Sequence, residues 1–300
     1  MTTFQDILNR WLLAMLAGLV IVTVMGVLPA RAADPEIVHF NSRDAETTQI
    51  RGLLFRPNGE GPYRTVLMMH GCSGLFRKNG DIQINLAAWI DRFVRWGYLV
   101  LAVDGFKPRG FRSMCHKRKR PLHSLDDRPY DAYGGLAWLV RQDFVQKDRI
   151  ALGGWSNGAM ATLSGLRRNN VDDFGGDLRF TAAAAFYPGC ITLTKRTDGQ
   201  FRPYAPLLVF VGLADNWTWP KPCMKLMKGA REAGLVAEVE AYEGAYHAFD
   251  HPGLPIKTRT ARNKRWKKKE RKVTIGSNPA ARDASIKRLR AWLAKYLGGA

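Results

Sequence analysis

The chain has 300 residues, 46% of them hydrophobic and 24% charged, a balance that excludes an intrinsically disordered or collagen-like chain. That length suits one large domain or two small ones. Lysine and arginine exceed aspartate and glutamate by 46 − 26 = 20, a basic excess that bears on partners and solubility rather than on fold.

Residues 1–32 read as an export signal. Arg10 supplies a positive flank, Trp11 to Leu28 is an apolar run without a charge, and Pro29-Ala30-Arg31-Ala32 puts small residues where a signal peptidase needs them. Cleavage after Ala32 leaves 33–300 as the mature chain. The run is also nearly long enough to span a bilayer, so an uncleaved membrane anchor is the alternative. Either way the folded part is expected outside the cytoplasm, periplasmic or secreted. Cys72, Cys115, Cys190 and Cys223 are an even set, so two disulfides are expected in such a compartment, with four buried thiols as the other reading. None has CxxC or Cys/His spacing, so no metal or other cofactor is expected.

After a linker at Asp34-Pro35, short apolar segments alternate with helical ones. Strands are expected at Ile50 to Phe55, Thr65 to Met69, Tyr98 to Val103, Arg149 to Gly153, Ala183 to Tyr187, Leu207 to Val211 and Val236 to Tyr242. Helical spacing marks Asn85 to Trp96, Tyr130 to Arg141, Ala159 to Leu166 and Ala281 to Leu297. The alternation predicts an α/β domain with a mostly parallel central sheet. Ile256 to Lys272, with ten basic residues and one acid, reads as an exposed loop inserted before the last helix. There is no internal repeat and no nucleotide-binding glycine fingerprint.

Gly154-Trp155-Ser156-Asn157-Gly158 follows a strand and precedes a helix, the context of a nucleophile elbow. There the serine Oγ is exposed at a helix N-terminus, and the Asn157 amide can face an oxyanion. His70-Gly71-Cys72-Ser73-Gly74 closes an earlier strand, and the Cys72 amide is the expected second donor. A plain strand-ending turn is the alternative there, and His70 itself is taken as structural. An acid and then a histidine must follow the serine. Asp215 after Leu207 to Val211, and His247 after Val236 to Tyr242, hold those places. His251 is the competing base, and Asp250 and Asp198 read as surface charges. A bare match to the five-residue pattern can arise by chance, and an ordinary glycine-rich turn is the bland alternative.

These residues, with Val103-Asp104-Gly105-Phe106-Lys107-Pro108-Arg109-Gly110, Phe186-Tyr187-Pro188-Gly189 and Tyr246-His247-Ala248-Phe249-Asp250, resemble the dienelactone hydrolase family of α/β-hydrolases. The resemblance runs from about Ile50 to the C-terminus. It implies an α/β-hydrolase fold, hydrolysis of esters or lactones, a triad of Ser156, His247 and Asp215, and no metal. The best-known members carry cysteine in the elbow where this chain has Ser156, which points to a general serine esterase rather than to dienelactone. A serine peptidase on the same scaffold, or a non-catalytic envelope-binding protein working through its basic segment, are the rival readings.

Trp155, Tyr187, Trp217 and Trp219 flank the proposed turns and read equally as pocket walls or as core. Arg109 and Arg112 read as anion ligands or, more simply, as solvated charges. Ile256 to Lys272, with Lys117-Arg118-Lys119-Arg120, points to an anionic membrane or envelope surface, or to a solvated loop. Nucleic acid is disfavoured for an exported chain. Strand adjacency at the expected loop ends pairs Cys72 with Cys115 and Cys190 with Cys223, among three connectivities.

Overall fold

The computed structural model describes residues 35–115, 117, 120–262 and 270–298. Residues 1–32, and with them the expected signal segment, lie outside the described residues. So do the tip of the basic segment and Arg118 and Lys119 of the run Lys117-Arg118-Lys119-Arg120.

Strands β3 (Tyr63–Met69) and β4 (Leu99–Asp104) are apolar at consecutive positions because both of their faces are covered. Leu67, Met69, Leu99, Leu101 and Val103 face one core layer, and Val66, Met68, Val100 and Ala102 face the other. Around them runs an eight-stranded sheet in the order β1-β2-β4-β3-β5-β6-β7-β8. Its other members are β1 (Glu36–Asn41), β2 (Gln49–Phe55), β5 (Val145–Trp155), β6 (Ala182–Phe186), β7 (Leu207–Gly212) and β8 (Ala237–Tyr242). β1 and β2 are antiparallel additions at one edge, and every later pairing is parallel. Parallel strands start and finish in the same sense, so the loops that follow β3, β5, β7 and β8 gather at one end of the sheet.

Helices α1 (Ile84–Arg95) and α7 (Pro279–Leu297) cover one face of the sheet. α2 (Arg128–Leu139), α3 (Asn157–Gly165) and α6 (Pro220–Glu232) cover the other, with the short α4 (Val171–Gly175) and α5 (Ile191–Arg196) on the same side. α1 buries Leu86, Trp89, Ile90 and Phe93 at helical spacing. Burial is worth about 1.5–3 kcal/mol for each such side chain. Asn278 caps α7, its side chain accepting from the Ala281 amide at 3.1 Å. No helix among the described residues is long and apolar enough to cross a membrane.

The basic segment is not the loop that its composition suggested. β9 (Lys257–Arg262) and β10 (Glu270–Ile275) pair as an antiparallel hairpin, separate from the main sheet. The reason is visible once the pairing is known: Lys-Thr-Arg-Thr-Ala and Val-Thr-Ile alternate with period two, and Ala261, Val273 and Ile275 are buried. Dense positive charge concealed that alternation.

Candidate active site

Ser156 occupies the sharp turn between β5 and α3 at φ 52° and ψ −108°, a backbone conformation that costs about 1–3 kcal/mol for a residue with a side chain. The flanking glycines make the turn passable. A Cβ on Gly154 would lie 2.5 Å from the Gly158 carbonyl oxygen, and one on Gly158 would lie 2.0 Å from that of Met69. Those contacts forbid any larger residue at either position.

His247, in the loop after β8, places Nε2 3.0 Å from Ser156 Oγ. Its Nδ1 lies 2.7 Å from Asp215 Oδ2. Asp215 sits in the turn after β7 and accepts from the backbone amides of Trp217 and Thr218 at 2.8 and 2.9 Å. Thr218 Oγ1 lies 2.7 Å from Asp215 Oδ2 and 2.9 Å from His247 Nδ1. Burial pushes the Asp215 carboxyl up, but the neighbouring imidazole and these hydrogen bonds outweigh it, and its pKa is lowered. A carboxylate so held can fix the imidazole tautomer and stabilise its protonated form. His251 makes no such contact; its Nδ1 accepts from the Gly253 amide at 3.1 Å.

Cys72, Ser156 and Asn157 line one common depression. Cys72 is bonded to Cys115, and Cys190 to Cys223. The first bridge ties the loop after β4 to the strand end that carries Cys72, and the Met114 amide adds a 2.8 Å bond to the Cys72 carbonyl.

Arg128 had no signal in the sequence, where it is a lone arginine at the start of a helix. It is fully buried, and its Nη1 donates to the His70 carbonyl at 2.6 Å and to Asn157 Oδ1 at 2.9 Å. Burial pushes its pKa down to about 10. His70 is buried, its ring edge-on to Phe106 at 4.3 Å and its Nδ1 2.8 Å from the Gly71 carbonyl, which fits a structural role.

Two expected surface charges are engaged within the protein instead, Asp250 buried and Arg109 half-buried. Asp250 accepts from Trp89 Nε1 at 2.7 Å, Trp155 Nε1 at 3.0 Å and Tyr187 Oη at 2.9 Å. Burial raises its pKa against the opposing pull of those donors. An Asp in a polar-looking loop gave no sign that three aromatic donors would converge on it. Arg109 pairs with Asp131 and Asp44, both contacts at 2.8 Å, so its charge is met by two carboxylates rather than by solvent alone or a ligand. Arg112 is exposed.

Tyr187 and Trp217 stand against His247, with ring centroids 4.5 and 4.8 Å from the imidazole. Trp155 is core: 1% exposed and stacked on Phe186 at 5.4 Å, it only touches the cleft. Trp219 is exposed. The cleft has two depressions that meet at Ser156 and Trp217. The larger, about 320 Å³, also holds Tyr187, His247, Arg112 and Arg259. The smaller, about 130 Å³, holds Met160, Ile191, Arg120 and Arg271. Among the described residues no group of side chains is arranged to hold a metal ion.

The family model described as the dienelactone hydrolase family matches residues 50–297. The chain belongs to the dienelactone hydrolase family. Its chemistry is that of a carboxylic ester hydrolase. The chain is 25% identical over 210 residues to a probable 2-oxo-3-(5-oxofuran-2-ylidene)propanoate lactonase of Bradyrhizobium sp., covering 65% of this chain and 77% of that protein. It is 28% identical over 149 residues to human dipeptidyl peptidase 8, covering 45% of this chain but 15% of that protein. Among solved structures, a putative dienelactone hydrolase from Klebsiella pneumoniae has a TM-score of 0.57 at 16% identity, covering 87% of this chain and 100% of its own. Thermogutta terrifontis esterase 2, phosphorylated by paraoxon, has a TM-score of 0.62 at 14% identity, covering 91% and 98%. These two likenesses establish the α/β-hydrolase architecture that the dienelactone hydrolase family shares.

Proposed function

We propose that the protein is an exported serine hydrolase that cleaves carboxylic esters or lactones through Ser156, His247 and Asp215. The observation that carries this reading is the continuous chain of contacts from Ser156 Oγ through both imidazole nitrogens to Asp215. His247 Nε2 takes the proton as Oγ attacks the carbonyl carbon, and the amides of Cys72 and Asn157 hold the resulting oxyanion. The carbonyl re-forms as the ester C–O bond breaks, and the imidazolium returns the proton to the departing alkoxide. Water then attacks the acyl-enzyme by the same route, releasing the acid and restoring Oγ–H. In a lactone the departing alkoxide stays tethered to the acyl group, so a single product leaves.

The Bradyrhizobium relative supports lactones within the substrate range. The similarity to dipeptidyl peptidase 8 favours a second reading, peptide hydrolysis on the same scaffold, although it touches only a small share of that protein. Two disulfides suit an oxidising compartment, and together with the apolar run Trp11 to Leu28 they support export. A panel of p-nitrophenyl esters of graded chain length, lactones and dipeptidyl p-nitroanilides tests the reading. Turnover of esters or lactones that disappears in Ser156→Ala supports it; turnover of the anilides alone favours the peptidase. Absence of all three activities and of fluorophosphonate labelling would leave a non-catalytic binding protein.

A further inference from the structure

The charges of the hairpin are distributed in a way that a merely solvated segment would not need. In its register Arg259 pairs with Val273 and Arg271 with Ala261, so these four side chains share one face. Ala261 and Val273 are buried, which makes that face the inward one. Charge on an amphipathic hairpin is ordinarily kept on the solvent side, where it stays hydrated. Here two arginines lie on the inner side, against the cleft.

Arg259 sets its guanidinium 4.6 Å over the Trp217 ring and lines the larger depression together with Arg112, which comes from the segment after β4. Arg271 donates to the Trp217 carbonyl, lies 5.1 Å over the Trp219 ring, and lines the smaller depression together with Arg120 from that same segment. Each side of Ser156 thus has one arginine from the hairpin and one from the β4–α2 connection. No aspartate or glutamate is among the described residues lining either depression. Four arginines therefore line the two depressions around the reacting atom, and low-dielectric walls concentrate the field of such charges. Burial pushes the pKa of Arg259 down, a penalty that an anionic partner would offset.

We propose that the cleft takes carboxylic esters carried on a polyanionic chain, with acidic groups on both sides of the scissile bond held by Arg112 and Arg259 on one side and Arg120 and Arg271 on the other. This rests on the ester-hydrolase reading above and adds the charge pattern of its substrate. Arginine suits the task because its planar fork meets a carboxylate with two parallel hydrogen bonds. A small substrate with a single carboxylate would need arginines on one side of the serine only. The hairpin is then a wall of the binding site rather than a detached tether.

The test uses polygalacturonate methyl esters, fully and half esterified, which share a scissile bond and differ in neighbouring charge, with p-nitrophenyl butyrate as the uncharged reference. The expected result is a kcat/KM per ester about tenfold higher on the half-esterified polymer at low salt, shrinking towards parity near about 0.5 M salt. Unesterified polygalacturonate should inhibit butyrate turnover competitively with the same salt dependence. R259Q and R271Q should each lower the ratio of the two polymer rates, and R259K should retain more of it than R259Q. The inhibition arm needs only the wild-type protein, so a variant that fails to fold does not blunt the test. Butyrate turnover with equal or absent action on the two polymers overturns the proposal and leaves the ester-hydrolase reading standing. Salt-sensitive binding to phosphatidylglycerol vesicles alongside equal polymer rates would also overturn it, making the hairpin a surface anchor. No hydrolysis of any ester would defeat the ester-hydrolase reading itself, and this proposal with it.

Discussion

Arg128 and Asn157 meet at 2.9 Å in the protein interior, guanidinium Nη1 to side-chain Oδ1, and the same nitrogen donates to the His70 carbonyl. One buried cation therefore joins the two strand ends that present the Cys72 and Asn157 amides. R128M should lower kcat by about tenfold to a hundredfold with little change in KM, because the loss falls on alignment of donors in the transition state. Stability should fall by about 1–3 kcal/mol, the penalty for leaving a buried carbonyl acceptor unpaired. R128K, with one charged donor retained, should recover part of kcat. Equal losses of kcat in both variants, tracking loss of fold by circular dichroism, would reduce Arg128 to a packing residue.

S156A should lower kcat by about 10³ to 10⁶ while leaving the thermal unfolding transition in place. H247A and D215N should be strongly impaired as well, and H251A should stay close to wild type, since the His251 ring accepts from the Gly253 amide and does not meet Ser156 or Asp215 among the described residues. Steady-state kinetics on p-nitrophenyl butyrate decide it, and an inactive H251A would reassign the base.

The two disulfides should differ in what they support. They close spans of 43 and 33 residues, for which chain-entropy reasoning gives roughly 3–4.5 kcal/mol each. C115S should reduce both stability and kcat, because Cys115 tethers the strand end that carries the Cys72 amide. C190S should reduce stability with a much smaller effect on kcat. Paired denaturant titrations and kinetics separate the two effects, and equal kinetic losses would remove the special role given to Cys72–Cys115.

Asp215 has its pKa lowered in the folded protein, so its ionised form favours folding. The stabilisation is present above the unfolded carboxylate value of about 3.9 and is lost as pH falls through the lower folded value. The Tm of wild type should therefore exceed that of D215N near neutrality, with the gap narrowing on acidification below about pH 4. A gap that is constant or widens there would contradict the sign.

D250N should weaken the site from a distance. Asp250 holds Tyr187 through its Oη, and the Tyr187 ring stands 4.5 Å from the His247 ring. An amide has one acceptor oxygen where the carboxylate has two, so with both indoles on that oxygen Tyr187 exchanges a charge-assisted bond for a weaker neutral one. Expected are a moderate fall in kcat and a Tm drop of several degrees, in line with a lost buried hydrogen-bond network. Unchanged kinetics with a lowered Tm would confine Asp250 to the core.

By itself the sequence determined the alternation of strands and helices, the strand-to-helix turn at Ser156, and the chain order of Ser156, Asp215 and His247. All of these are local: apolar runs, glycines whose Cβ would collide with backbone, and residues just beyond strand ends. The dienelactone hydrolase family was legible for the same reason, since its marks are short turn sequences. β1 and α6 were not singled out, and the hairpin was missed because abundant lysine and arginine hid a period-two pattern in Lys257–Arg262 and Glu270–Ile275. Long-range packing alone buries Arg128 and Asp250, pairs Arg109 with Asp131, and brings Arg259 and Arg271 to the cleft. A charged residue in sequence carries no mark of what will surround it. Its partners here come from positions far along the chain, such as Trp89 for Asp250 and Trp217 for Arg259, and packing alone brings them together.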